Sequence, residues 1–263
     1  MTEGVPGSFG ANPSFYDLVR ARGMGAPGTP GQTEGPGLAP PHGTTVLALR
    51  FADGIVMAGD RRAVEGTSVA DRRMDKVFPA DDYSTVAIAG VAAQAIELVR
   101  LFQTELEHYE KVEGEGLSLD GKANRLAQMI RSWMPMVMQG LIVVPVFAGY
   151  DLAKREGRIY RYDVIGGRYE GIDFHATGSG GRDAKGSLKK RFRDGLDRGE
   201  AIRVALEALL DASEEDTATG GADVRRGIYP TVYVVTAEGA DRVPEDEVRA
   251  AHEDVLERRT ETG

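Results

Sequence analysis

Gly43-Thr44-Thr45 stands where two stretches of opposite character meet. A cut between Gly43 and Thr44 would leave Thr44 with a hydroxyl nucleophile and a free α-amine, so that one residue carries both nucleophile and base. A threonine hydroxyl is weakly nucleophilic at neutral pH, and a base must take its proton as it attacks. The α-amine suits that task, because its ordinary pKa of about 7.7–8.0 lies near operating pH. The same hydroxyl could first attack the Gly43 carbonyl, giving an ester that water hydrolyses. Glycine at 43 offers no side chain to obstruct that step. Before the cut the Thr44 nitrogen is an amide and cannot act as a base, so the uncut chain is expected to be inactive. Gly-Thr-Thr alone is a common tripeptide, and the assignment needs support from residues elsewhere.

Bulk properties exclude several other chemistries. The chain has 263 residues and a net charge of -9, which favours solubility and argues against a nucleic-acid surface. It has no cysteine, so disulfides, thiol catalysis and cysteine-ligated metal are excluded. The apolar run Leu141 to Gly149 is too short to span a bilayer. No basic region followed by an apolar core opens the chain, so a soluble, cytoplasmic protein is expected. The histidines at 42, 108, 175 and 252 share no metal-ligand spacing. Gly178-Ser179-Gly180-Gly181 lacks the Gly-Lys-Ser/Thr ending of a phosphate loop. Lys189-Lys190-Arg191 is followed by Asp194, Asp197 and Glu200, as on a solvated helix face. No cofactor is expected.

The elements that must position Thr44 begin at the composition break. Residues 1–43 hold 10 of the 34 Gly and 7 of the 12 Pro, too much backbone entropy for a core of their own. Within them only Ser14 to Arg20 suggests an amphipathic island, either a stray hydrophobic patch or a segment that docks during assembly. From Thr45 the pattern predicts strands at 46–51 and 55–58 split by an Ala-Asp-Gly turn, with Asp60 at the end of the second. Another strand over 85–89 ends at Gly90. Ala95, Leu98, Val99, Phe102 and Leu106 then share a helical face. So do Leu126, Ile130, Trp133 and Val137, with a kink expected at Pro135. Strands follow at 141–148, 158–163 and 171–176, then helices at 183–194 and 199–213, and a strand at 231–236. A charged surface helix is expected at 245–258. The domain reading is a leader at 1–43, a catalytic domain at 44–243 and a charged tail at 244–263. This order predicts two sheets covered by helices rather than alternating βαβ units.

The run from Thr44-Thr45 through Gly54-Ile-Val-Met-Ala-Gly-Asp60-Arg61-Arg62-Ala63, Asp75-Lys76-Val77 and Ile88-Ala89-Gly90, with Asp216-Thr217-Ala218-Thr219-Gly220-Gly221 later, resembles the β-type subunits of the 20S proteasome. The likeness covers 44–237 in order. Leu106 to Lys111 and Met138 to Leu141 are similar to the actinobacterial type. The resemblance implies an α+β, N-terminal nucleophile hydrolase fold, a four-layer αββα sandwich, with residues 1–43 a propeptide. It implies that Thr44 is the nucleophile, with Lys76 beside its hydroxyl and Asp60 paired to Lys76. It further implies that the Gly90 N–H serves the oxyanion, and that Arg62, Asp216 and Thr219 shape the surrounding network.

Each residue type has a physical rationale. The Lys76 ammonium should lower the pKa of a neighbouring amine. Asp60 keeps Lys76 charged and aimed, since an unpaired buried ammonium tends to lose its proton. Glycine at 90 allows close approach of a substrate backbone and exposes an amide donor. Taken singly, Asp60 also reads as a turn residue, Lys76 as a lysine in a charged run, and Gly90 as a helix-entry glycine. One departure stands out: where many relatives carry Gly-Ser-Gly-Ser, this chain has glycine at 181, so a hydroxyl that helps hold the threonine amine is expected to be missing.

By the same resemblance, Ala63, Met74, Phe78, Ile88 and Ala92 line the pocket for the residue before the cut bond, and these apolar side chains imply a hydrophobic preference. The resemblance also implies homo-heptameric β rings stacked with α subunits as α7β7β7α7. A regulatory ATPase ring would feed the barrel, with protein substrates tagged by a ubiquitin-like protein. No nucleic acid or membrane partner is expected. A six-membered-ring homologue, a non-catalytic ring subunit and a small-molecule amidase remain as rival readings.

Overall fold

The computed structural model describes residues 43–65 and 68–262. The island at 14–20 lies outside the described residues, as does the rest of the expected leader up to 42. Two five-stranded antiparallel sheets dominate. The first contains β1 (Thr45–Phe51), β2 (Gly54–Gly59), β10 (Phe174–Gly178), β11 (Thr231–Thr236) and β12 (Gly239–Arg242), in the order β10-β1-β2-β11-β12. The second contains β5 (Val77–Asp81), β6 (Ser84–Gly90), β7 (Val143–Asp151), β8 (Glu156–Tyr162) and β9 (Arg168–Gly171), in the order β5-β6-β7-β8-β9. A separate hairpin joins β3 (Ala63–Glu65) to β4 (Ser68–Asp71).

Consecutive residues in β1 and β2 are buried because both faces of the sheet are covered. Val46, Ala48, Ile55 and Met57 meet Val77, Ala87, Ala89, Val146, Ala148 and Ile159 between the sheets. The alternate residues Leu47, Leu49, Val56 and Ala58 point outward, as the two-residue period of a strand demands. They pack under α4 (Gly181–Arg191) and α5 (Arg198–Glu215). On the far side α1 (Ala92–Glu113) and α2 (Leu119–Ser132) cover the second sheet. The α1 stripe at Ala95, Leu98, Val99, Phe102 and Leu106 is buried as the periodicity predicts. Phe102 meets Phe147 of β7 edge-on, with ring centroids 5.7 Å apart. The result is the αββα sandwich.

Several boundaries differ from the sequence pattern, three of them with a clear physical reason. The strand expected at 171–176 is two strands: β9 ends at Gly171 in the second sheet, and β10 begins at Phe174 in the first. Ile172 and Asp173 carry the chain across, so periodicity alone merges them. The second helix stops at Ser132 rather than running to Val137. Trp133 is its C-cap, and a short helix α3 (Met134–Val137) restarts with Pro135 in its first turn, the position where proline lacks no needed donor. The C-terminal helix α6 spans Glu245–Thr262. It is more than a surface tail, because Val248, His252 and Val255 are buried and Arg259 pairs with Asp211 and Glu214 of α5.

Candidate active site

Strand register brings the site together. β1 runs antiparallel between β10 and β2, with Thr45 opposite Gly178 and Val46 opposite Gly59. Thr44 therefore sits beside the 178–181 turn on one side and beside Asp60 on the other. Thr44 is 5 % exposed, and Asp60 and Thr219 are fully buried. Gly43 precedes Thr44 in this structure, so the Thr44 nitrogen is an amide here.

Asp60 anchors one half of the site. Its Oδ1 accepts from the Thr45 amide at 2.8 Å and from Lys76 Nζ at 2.7 Å. Its Oδ2 accepts from the amides of Arg62 at 3.0 Å and Gly220 at 2.9 Å. Four donors on one buried carboxylate fill the acceptor sites of both its oxygens without solvent. Lys76 precedes β5 in the other sheet, and its carbonyl accepts from the Ile88 amide at 2.9 Å. Its side chain thus spans from the second sheet to the first. Nζ also donates to the carbonyls of Arg62 at 2.5 Å and Gly43 at 3.2 Å. Burial lowers the Lys76 pKa from its ordinary value. The Asp60 charge and hydrogen bond oppose that shift, and Arg62 adds to it.

The other half is built from the 216–220 loop and the turn after β10. Arg62 Nη1 donates to the carbonyls of Thr217 at 3.2 Å and Thr219 at 3.3 Å, tying this loop to the Asp60 side. Asp216 Oδ2 accepts from the hydroxyls of Ser179 and Thr219, each at 2.5 Å. Burial alone would raise the Asp216 pKa, but the bonds from Ser179, Thr219 and the Ala218 amide outweigh it, and the net direction is down. Ser179 Oγ accepts from the Thr44 nitrogen at 3.2 Å.

That contact corrects the expectation for glycine 181. The hydroxyl at the Thr44 nitrogen comes from Ser179, two residues earlier. A side-chain carbon added at Gly181 would face the Ala176 backbone at 3.4 Å instead. The turn places residue 179 toward Thr44 and residue 181 at the start of α4, so the motif lacks nothing at the nitrogen.

Gly90 ends β6 with φ +125, and an added Cβ would fall 2.1 Å from the Ile142 carbonyl oxygen. The chain itself requires glycine there. The residues expected to line the substrate pocket fall on several elements. Ala63 opens β3, the Met74 amide bonds the Arg61 carbonyl at 3.1 Å, and Ala92 opens α1. Phe78 and Ile88 pack in the cluster under α1. Thr45, Ser179 and Gly220 belong to the site but are not on the sequence-derived roster. Their signals were the doubled threonine, a serine in a glycine turn directly after a strand, and a Gly-Gly pair after Thr219.

No group of His, Asp and Glu among the described residues has a metal-holding arrangement. No described helix is long and apolar enough to cross a membrane. Comparison with known proteins gives the same direction as the geometry. A profile of the family described as "Proteasome subunit" matches residues 41–224. A proteasome subunit beta of Acidimicrobium ferrooxidans is 59% identical over 203 residues, covering 77% of this chain and 74% of that protein. A proteasome subunit beta of Acidothermus cellulolyticus is 51% identical over 266 residues, covering 95% of this chain and 92% of that protein. With a profile match spanning most of the chain and relatives at this identity, the chain belongs to the proteasome subunit family.

Proposed function

We propose that this chain is a catalytic β subunit of a proteasome core, a threonine endopeptidase that activates itself by cutting between Gly43 and Thr44. The observation that carries the reading is the contact of the buried Lys76–Asp60 pair with the bond to be cut: Lys76 Nζ donates to the Gly43 carbonyl oxygen at 3.2 Å. In the first reaction the Thr44 hydroxyl attacks that carbonyl carbon, and Lys76 stabilises the charge that develops on its oxygen. The C–N bond breaks as the nitrogen takes a proton, leaving Gly43 as an ester on Thr44. Water hydrolyses the ester, releasing the Gly43 carboxylate and freeing the α-amine.

The amine then serves the hydroxyl of its own residue as base. Lys76 keeps its pKa low by like charge, and Asp60 keeps Lys76 in place. Ser179 and Asp216 orient the amine, Thr219 holds Asp216, Arg62 ties down the loop that carries both, and the Gly90 N–H faces the oxyanion of a bound peptide. Ala63, Met74, Phe78, Ile88 and Ala92 form the apolar pocket for the residue before the cut bond. The working form is a homo-heptameric β ring in an α7β7β7α7 barrel in the cytoplasm. Its α ring admits unfolded chains from an ATPase ring, which recognises proteins tagged by a ubiquitin-like protein.

Co-expression with an α subunit, followed by intact mass and N-terminal analysis, tests the proposal. A mature start at Thr44 in the parent, and an uncut, inactive Thr44→Ala chain, are expected. A trimmed or peptide-cleaving Thr44→Ala protein would overturn it.

A further inference from the structure

Thr45, the residue after the nucleophile, is fully buried with its hydroxyl inside the site. Its Oγ1 lies 2.6 Å from Thr219 Oγ1 and accepts the Gly180 N–H at 3.0 Å. The hydroxyl protons in this region can be assigned by elimination. An amide can only donate, so Thr45 Oγ accepts from Gly180 and keeps its own proton for Thr219. A carboxylate can only accept, so Thr219 gives its proton to Asp216 Oδ2 at 2.5 Å and must receive one from Thr45. Ser179 has one proton and two acceptors in reach, Asp216 Oδ2 at 2.5 Å and the Thr44 carbonyl at 3.3 Å. The shorter, charge-assisted bond takes it. The lone pair left on Ser179 then faces the Thr44 nitrogen at 3.2 Å.

We infer that Thr45 is a positioning residue for the reaction: its hydroxyl sets the direction of the chain Thr45 to Thr219 to Asp216, with Ser179 closing it on the nitrogen of Thr44. The inference rests on the threonine-hydrolase reading above. Two neighbouring residues thereby hold opposite ends of one hydrogen-bonded ring, completed by the backbone between them. Through its amide, Thr45 also holds Asp60 Oδ1 at 2.8 Å, so it joins the Asp60–Lys76 half of the site to the Asp216–Ser179 half. The space around the hydroxyl is fully committed. A Cβ added to Gly180 would lie 2.6 Å from Thr45 Oγ1 and 2.7 Å from Thr219 Oγ1, so only glycine lets the turn come near enough to donate. A valine at 45 matches threonine in shape, yet it leaves the Gly180 amide without an acceptor and the Thr219 hydroxyl without a donor. The turn carrying Ser179 then loses its anchor. The amine it holds loses its aim, while the peptide-binding surface is untouched.

The test uses matured particles of the parent, Thr45→Val and Thr45→Ser, assayed on one fluorogenic peptide across pH. Thr45→Val is expected to lower kcat by about 10- to 100-fold with KM within about twofold, as for loss of a buried hydrogen bond acting on the reacting group. Its kcat/KM profile should also shift along the pH axis, whereas Thr45→Ser, which keeps the hydroxyl, should restore both. If Thr45→Val yields no particles, Thr45→Ala, which removes the same hydroxyl and leaves the Thr219–Asp216 bond in place, is read the same way. A Thr45→Val enzyme with parental kcat, or a Thr45→Ser enzyme as impaired as Thr45→Val, would overturn the inference. Activity of Thr44→Ala would instead sink the underlying reading, and the two failures are distinct.

Discussion

Replacing Asp60 by asparagine should strongly destabilise this protein. Each oxygen of Asp60 accepts two hydrogen bonds, Oδ1 from the Thr45 amide and Lys76, Oδ2 from the Arg62 and Gly220 amides. An asparagine has one oxygen, and its NH2 faces two donors whichever way it is turned. Two buried donors lose their acceptor at about 1–3 kcal/mol each, a total near the 3–5 kcal/mol measured for breaking buried ion pairs. Taking about 4 kcal/mol, and about 2–4 °C per kcal/mol for a domain of this size, the melting temperature should fall by about 8–16 °C. Lys76→Met breaks the same ion pair and leaves the buried carboxylate without its counter-charge, so its shift should be of the same order. The assay is thermal unfolding by circular dichroism of both variants in the Thr44→Ala background, which removes any difference in self-cleavage. An Asp60→Asn chain melting within about 3 °C of its background would refute the assignment of four acceptor bonds to this carboxylate.

Other perturbations have equally definite outcomes. Gly43→Val should slow self-cleavage strongly without altering the fold, because a Cβ at 43 would sit 1.9 Å from that of Ala218; a mass time course showing parental processing would contradict this. Ser179→Ala should cut kcat of the mature enzyme by about 10- to 100-fold, the effect of losing one hydrogen bond to a charged group, and steady-state kinetics on a small peptide reads it. His175 bears on acid stability: burial, with Lys185 and Arg161 nearby, lowers its pKa from 6.5 to about 4. The unfolded chain therefore binds the extra proton first, so His175 contributes stability that is complete above about pH 6.5 and is lost as pH falls toward 4. Melting curves of His175→Gln against the parent should differ in slope across that window and run parallel above it.

Much of the site was legible because its chemistry depends on residue types few other roles require together. A glycine before a threonine at a break in composition, an aspartate closing a strand and a lysine before the next apolar run are local features, and the fold brings Lys76 onto both Asp60 and the Gly43 carbonyl. The layered fold was legible for a similar reason: apolar residues on successive strand positions imply cover on both faces. Ser179, Thr45 and Gly220 were not legible, because their importance comes from register. The pairing of Thr45 with Gly178 and of Val46 with Gly59 brings residues 44, 60 and 179 together, and strand pairing is a long-range choice made by packing. The same limit hid the crossing at Ile172–Asp173, where local pattern cannot tell one strand from two in different sheets. Chain-local chemistry was written in residue order; which donor meets which acceptor was decided only when strand pairing set Asp60 on one side of Thr44 and the turn carrying Ser179 on the other.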